Sequence, residues 1–372
     1  MSTDTLPEPD RIDGAPHPSQ TARLFGQERA ERDFLDAYNL GRLHHGWLVT
    51  GPRGIGKATL AWRIARFLLA TPEDAGEGLF GEATPVPDTL DVPADHPVAR
   101  RMQAGSEAGL FVLRRGYDEK TKRLRSVITV DEVRKLKSFF SLSAAEGGRR
   151  VVIVDAADEM NVSAANALLK LLEEPPDKSF LILISHQPSR LLPTIRSRCR
   201  ELRLSLLSEG NLLSALKQAG LDDIPRPLVA LSGGSVGEAL RLASLDGVQM
   251  YQAVLKVLET MPSFDRQKAQ ALAELSVGRG AEEKRALLFV LIDQILARIA
   301  KAGVVPPPPE SEVFAGEGAI FARLCPDAAK SRAWAEAAQE ISDRNVHGLA
   351  VNLDPAALIL DTVFRIQKTA GG

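Results

Sequence analysis

Seven residues constrain this chain more than any others: Gly51-Pro-Arg-Gly54-Ile-Gly56-Lys57, set between an apolar run and a helix. Trp47-Leu48-Val49-Thr50 predicts a short buried strand, and the residues from Lys57 to about Ala70 predict a helix. Strand, glycine turn and helix start together bring backbone N–H groups and a favourable helix dipole to phosphate oxygens, while Lys57 adds a point charge. Gly51, Gly54 and Gly56 let the backbone approach closely. A bare glycine turn is the bland alternative; the placement between strand and helix favours the phosphate loop. The next position is where such loops carry a Ser or Thr hydroxyl for Mg²⁺, and here it is Ala58. Thr59 follows, but one step along a helix turns a side chain by about 100°, away from the metal position.

The remaining pattern sets the fold class. Val151-Val152-Ile153-Val154 and Phe180 to Ile184 have the β-branching and length of buried parallel strands, and Leu110 to Leu113 is a further β-like stretch. Helices alternate with them, at 24–43, 57–70, 133–142 (capped by Asp131) and 163–174, the last stopped by Pro175-Pro176. Alternation of this kind predicts an α/β domain with a parallel sheet covered on both faces. After Leu206 the strand signals fade, and helices are expected at 209–219, 226–231, 236–244, 248–260, 265–276, 281–301, 328–342 and 355–368. Val304-Val305 and the four prolines after it mark a stiff interruption. The expected division is a flexible, Pro-rich tail over 1–20, a nucleotide-binding-type α/β domain over 21–206, a helical lid over 207–245 and an all-α domain over 246–372. Residues 71–109, rich in Gly, Pro and acids, read as a surface excursion.

Charge and cysteine content exclude several classes. With 46 Lys+Arg against 48 Asp+Glu, the chain lacks the broad basic face of a free-standing nucleic-acid binder or a membrane-surface protein. Two cysteines, Cys199 and Cys325, cannot make a disulfide scaffold or a four-thiolate zinc site, so a reducing cytoplasm is expected. No signal core or membrane-spanning run is evident. The six histidines are scattered, and His44-His45 has no metal-ligand spacing.

Asp155 ends the second buried strand and suits the Mg²⁺-side carboxylate of a phosphate-loop enzyme, or simply a turn after a strand. NALLKLLEEPP (Asn166 to Pro176), the strand FLILIS, and then Leu192-Pro-Thr-Ile-Arg-Ser197-Arg198-Cys199 resemble the clamp-loader branch of the AAA+ ATPases over most of residues 20–240. The resemblance implies an AAA+ domain, a small helical lid and an all-α collar. It implies a hetero-pentameric ring with gamma/tau and delta subunits that opens a sliding clamp and loads it on primer–template DNA in the cytoplasm, at replication forks in the nucleoid. It also implies that Arg198, in the S-R-C motif, reaches in trans to a neighbour's ATP, where an arginine fork stabilises γ-phosphate charge. Arg196 and Arg200 are the residues most easily confused with it. Ser185 matches the position that senses γ-phosphate.

Three departures bear on activity. Hydrolysing members carry a hydroxyl where this chain has Ala58, a glutamate where it has Ala156, and an arginine in the lid helix where it has Gly237. With Arg198 kept, the combination resembles the finger-donating, non-hydrolysing type of subunit. An active gamma/tau-like motor, recruiting Asp158 or Glu159 as the missing acid, is the alternative. The cradle of Gly51, Gly54, Gly56 and Lys57, with Thr59, Asp155 and Ser185 beside it, leaves open whether ATP or ADP is held without turnover. The zinc module of many relatives has no cysteines here, so no zinc is expected. The segment NVHGLAVNLDPAALILDTVFRI resembles the closing helix of the collar, with Asp354 as its cap and Pro355 at its first position.

Gly233-Gly234-Ser235-Val236-Gly237 formally matches the G-x-S-x-G elbow of serine hydrolases. That elbow joins a strand to a helix, whereas Pro227 to Leu231 lies in a helical half. The basic residues Arg114, Arg115, Lys120, Lys122, Arg123 and Arg125 form a run that either faces solvent or meets DNA within a ring.

Overall fold

Five strands carry the first unit of the chain, and their buried, β-branched residues dictate the arrangement. The computed structural model describes residues 8–9, 11–12, 15–21, 23–71, 86–142, 148–278, 281–305 and 312–371. Two compact units result: Met1–Asp222 with Gly234–Gly237, and Asp223–Gly233 with Glu238–Gly372.

In the first unit the order is α1 (Glu28–Asn39), β1 (Gly46–Thr50), α2 (Lys57–Ala70), α3 (Pro97–Gln103), β2 (Leu110–Arg114), β3 (Tyr117–Asp118), β4 (Arg123–Leu124), α4 (Val130–Leu142), β5 (Arg150–Asp155), α5 (Val162–Glu173), β6 (Ser179–Ser185), α6 (Pro193–Arg196), β7 (Arg200–Arg203) and α7 (Glu209–Gln218). The five-stranded sheet runs β2-β5-β6-β1-β7, all neighbours parallel. Val151 to Val154 and Leu181 to Leu183 are fully buried, as strands covered on both faces must be. The register pairs Thr50 with Ser185 and Arg114 with Asp155, so the C-terminal ends of β1, β2, β5 and β6 lie along one edge of the sheet. In open parallel sheets that edge is where ligands bind.

Several elements differ from the sequence expectation. β7 is a strand although Arg200, Glu201 and Arg203 are charged; it is a sheet edge, and only Leu202 faces the core. Ahead of β5, Ile128 makes a single bridge to Met160, and the helix α4 starts at Val130. The charged stretch before it forms a hairpin, β3–β4. Of the 71–109 excursion, residues 72–85 lie outside the described residues; beyond them Leu90, Val98 and Met102 are buried, and α3 packs on α2. Within the Pro-rich first twenty residues, Pro18–Gln20 forms a turn on α2: the His17 ring stands edge-on to Trp62 at 5.6 Å, and Arg66 donates to the Ser19 carbonyl.

The second unit is helical throughout its described residues: α8 (Arg226–Ser232), α9 (Val236–Ser244, its first two residues belonging to the first unit), α10 (Gly247–Glu259), α11 (Arg266–Glu274), α12 (Glu282–Ala302), α13 (Glu317–Leu324), α14 (Ala328–Ala350) and α15 (Pro355–Gly371). The prolines 306–309 lie outside the described residues. α12 is the spine, burying Leu287, Leu288, Leu291, Ile292, Ile295, Leu296 and Ile299. No described helix is long and apolar enough to cross a membrane.

Candidate functional site

The loop Gly51–Lys57 leaves the C-terminal end of β1 and closes at Gly56, which caps α2 in the left-handed region at φ +99°. Gly51 and Gly54 also have positive φ, at +137° and +74°, so the turn needs glycine for its backbone path. Lys57 is buried, and its Nζ donates to the carbonyl of Gly51 at 2.7 Å and to that of Pro52. Burial pulls the amine down to about 8, against the opposing pull of Asp155 and Asp158.

Around the loop the sheet edge gathers the other sequence candidates. Asp155 ends β5 and Ser185 ends β6 on that edge, and Ser185 Oγ is buried without a hydrogen-bond partner. Thr59 is buried within α2. The two acids proposed to replace the missing glutamate are engaged elsewhere. Asp158 Oδ1 accepts from the His186 N–H at 2.9 Å, and Glu159 lies 3.0 Å from Arg53 and 2.8 Å from Arg115. Burial and the charges of Lys57 and Arg53 pull the His186 ring down to about 4, so it is neutral near pH 7. Arg53, Asp158, Glu159 and His186 line a polar cavity of about 370 Å³ with Ser126 and Arg190.

Two features of the loop went unread in the sequence. Gln27 is buried just before α1; its Nε2 donates to the carbonyls of Ile55 at 3.2 Å and Ser205 at 2.8 Å, and its Oε1 accepts from Ser205 N–H. A buried amide this close to the loop is legible only after folding, because its partners lie 28 and 178 residues away. The second is a cover over Gly54. Ser235 Oγ donates to the Arg53 carbonyl at 2.9 Å, and Gly237 N–H donates to the Gly54 carbonyl at 2.9 Å. Ser235 thus serves the loop as a hydrogen-bond donor, and it follows a helix, α8, not a strand. A Cβ at Gly237 would sit 2.7 Å from Gly54 Cα, so an arginine side chain has no room there with this contact in place.

These residues fit a phosphate group but not Mg²⁺-assisted hydrolysis. Loop amides and the Lys57 amine remain, whereas Ala58 offers no hydroxyl and Ala156 no carboxylate. Among the described residues no cluster of three or more His, Cys, Asp or Glu side chains could hold a metal ion.

Arg198 is not part of this constellation. It lies between α6 and β7, and its carbonyl is within 3.0 Å of where a Cβ on Gly46 would stand. Gly46 starts β1 and Thr50 ends it, so at about 3.3 Å per residue the strand separates Arg198 from its own phosphate loop by more than ten ångströms. The guanidinium is partly exposed, with Nη2 at 2.9 Å from Glu173 and Nη1 donating to the Thr194 carbonyl at 3.1 Å. Beside it, burial pushes the Cys199 thiol up to about 12, which makes it an inert packing group. His44 and His45 stack at 4.4 Å ahead of β1, and His45 Nε2 lies 2.9 Å from the Leu172 carbonyl.

Numbering only the five strands of the main sheet along the chain gives the spatial order 5-1-4-3-2, with the phosphate loop after the first. This is an AAA+ P-loop domain followed by a helical region. Residues 26–208 match the family model described as DNA polymerase III, delta subunit. The chain is 41% identical over 236 residues to the DNA polymerase III subunit delta' of Pseudomonas aeruginosa, covering 62% of this chain and 65% of that one. It is 29% identical over 313 residues to subunit tau of Escherichia coli, covering 78% of this chain and 45% of tau. Among solved structures it is similar to a DNA polymerase III gamma subunit-related protein of Thermotoga maritima, with 15% identity and a TM-score of 0.39, covering 91% of this chain and all of that one. Residues 26–208, a little under half of the chain, are thus similar to the delta-prime subunits of DNA polymerase III. It spans less than two thirds of the length of the curated relatives it matches.

Proposed function

We propose that the chain is a clamp-loader subunit that gives Arg198 to the ATP site of a neighbouring gamma/tau-type subunit and does not itself turn over ATP. The observation that carries this reading is the position of Arg198. It stands at the opposite end of β1 from its own loop and is partly exposed, which supports a role toward another chain rather than toward its own loop. Lid residues Ser235 and Gly237 bonded to the loop, together with Ala58 and Ala156, support the absence of turnover. In this reading the neighbour's ATP supplies the reactive phosphate. Arg198 contributes two parallel N–H donors to it, so hydrolysis is coupled to the packing of two subunits. The ring would include gamma/tau and delta subunits, the sliding clamp and primed DNA.

Reconstitution tests this. The isolated chain is expected to have no DNA-stimulated ATP turnover. In the assembled complex, Arg198→Ala should cut turnover at the one site it serves by about 10³-fold. Wild-type turnover in that complex would overturn the finger assignment. An active motor is the second reading, favoured by the similarity to tau. It needs Asp158 or Glu159 to be released from the partners described above, and it expects turnover by the chain alone.

A further inference from the structure

We propose that the β3–β4 hairpin is a sequence-independent contact for the phosphate backbone of primer–template DNA, made by Lys120, Lys122, Arg123 and Arg125. The proposal rests on the clamp-loader reading and adds to it a surface of this chain that touches the DNA.

The run 114–125 holds six Lys or Arg against Asp118 and Glu119, in a chain whose overall balance is slightly acidic. Folding divides that run in two. At the base of the hairpin, Arg114 Nη2 lies 2.6 Å from Glu8 and Arg115 Nε lies 2.8 Å from Glu159, so both charges are matched inside the unit. Above the base, Tyr117 pairs with Leu124 and Asp118 with Arg123, and Arg125 N–H donates to the Gly116 carbonyl at 2.9 Å. Lys120, Lys122 and Arg125 are exposed, and so is Arg123, which also has a partner within the chain.

The tip is built before any partner arrives. Asp118 Oδ1 accepts from the backbone N–H of Lys120 and Thr121, each at 3.0 Å, and Lys122 takes the left-handed region at φ +52°. The Thr121 backbone bond leads the causes that hold the Asp118 carboxyl below its usual range, so that charge faces the turn amides. Glu119 is the other acid of the tip and is exposed.

Composition of the tip selects the partner. Residues 118–123 are Asp, Glu, Lys, Thr, Lys and Arg, with no apolar side chain. A protein-docking patch needs an apolar centre. A polar, cationic hairpin tip has what a phosphate backbone needs and nothing that reads bases. The hairpin follows the C-terminal end of β2, the same sheet edge that carries the phosphate loop.

The test uses the reconstituted complex and fluorescent primer–template DNA, with affinity followed by anisotropy from about 50 to 200 mM salt. A K120A/K122A/R123A variant should bind at least tenfold more weakly at the low-salt end. Its log–log salt slope should shrink by about 0.9 for each lost phosphate contact. Primer sequence should not matter. Melting temperature and ATP turnover without DNA should match wild type, because the substituted side chains are exposed. A milder K120Q/K122Q variant should fall between. Equal affinity and equal slope in an intact complex would overturn the hairpin proposal while leaving the clamp-loader reading standing. So would loss of subunit assembly with DNA affinity retained, which would make the hairpin a protein contact. Failure of the wild-type chain to assemble with gamma/tau and delta at all would remove the clamp-loader reading, and this proposal with it.

Discussion

Lys57 is buried with its amine against two loop carbonyls, and the consequences are readable in pH. Its folded value of about 8 lies below the ordinary lysine value, because burial outweighs the attraction of Asp155 and Asp158. The folded chain therefore binds fewer protons than the unfolded chain between the two values, and stability rises with pH across that interval. Replacing the amine isolates the effect. From pH 7.5 to 10.5, wild type should gain about 3 kcal/mol relative to Lys57→Met in urea denaturation. Parallel profiles for the two proteins would mean that the amine is solvated. Near neutral pH the amine stays mostly charged, so the loop keeps its attraction for phosphate.

At the scale of elements, the second unit is tied together by one buried carboxylate. Glu317, at the start of α13, is fully buried; it accepts from Tyr251 OH of α10 and from Val313 N–H at 2.7 Å, and lies 3.3 Å from Arg298 of α12. Burial, then Glu317 itself, pushes the Tyr251 phenol above its usual range. Glu317→Ala leaves Arg298 and Val313 N–H without that partner and should cost about 3–5 kcal/mol, measured by chemical denaturation of the full chain. α13 was absent from the sequence reading because its eight residues are too few for a helical period to stand out beside the proline run. The long helices and the buried strands were legible for the opposite reason: each repeats one local rule over many residues. β7 was hidden because an edge strand buries one side chain in two and carries charge on the others. The site divides in the same way. Gly51, Gly54, Gly56 and Lys57 are contiguous and were read directly. Gln27 and Ser235 reach the loop from 28 and 182 residues away, so no window of sequence contains the interaction.

For the whole molecule, the proposed gift of Arg198 to a neighbour raises the question of what holds that side chain in the single chain. In the single chain its guanidinium sits 2.9 Å from Glu173, at the end of α5, with both side chains well exposed. An exposed pair of this kind is worth between about 0.2 and 1 kcal/mol and is screened by salt. A triphosphate in a closed interface offers far more negative charge, and its geometry matches the planar fork of arginine rather than the single ammonium of lysine. On the proposed reading, Glu173 therefore parks Arg198 without trapping it. Two substitutions separate parking from chemistry in the reconstituted complex. Glu173→Gln should leave ATP turnover within about fivefold of wild type, since the released energy is at most about 1 kcal/mol. Arg198→Lys keeps the charge but loses the second N–H donor, and at the site it serves it should retain only a small part of wild-type turnover. If Lys at 198 instead restores full turnover, positive charge alone suffices and the fork is not what the neighbour reads. If Glu173→Gln abolishes turnover, the carboxylate belongs to the interface and its role is to orient Arg198 there.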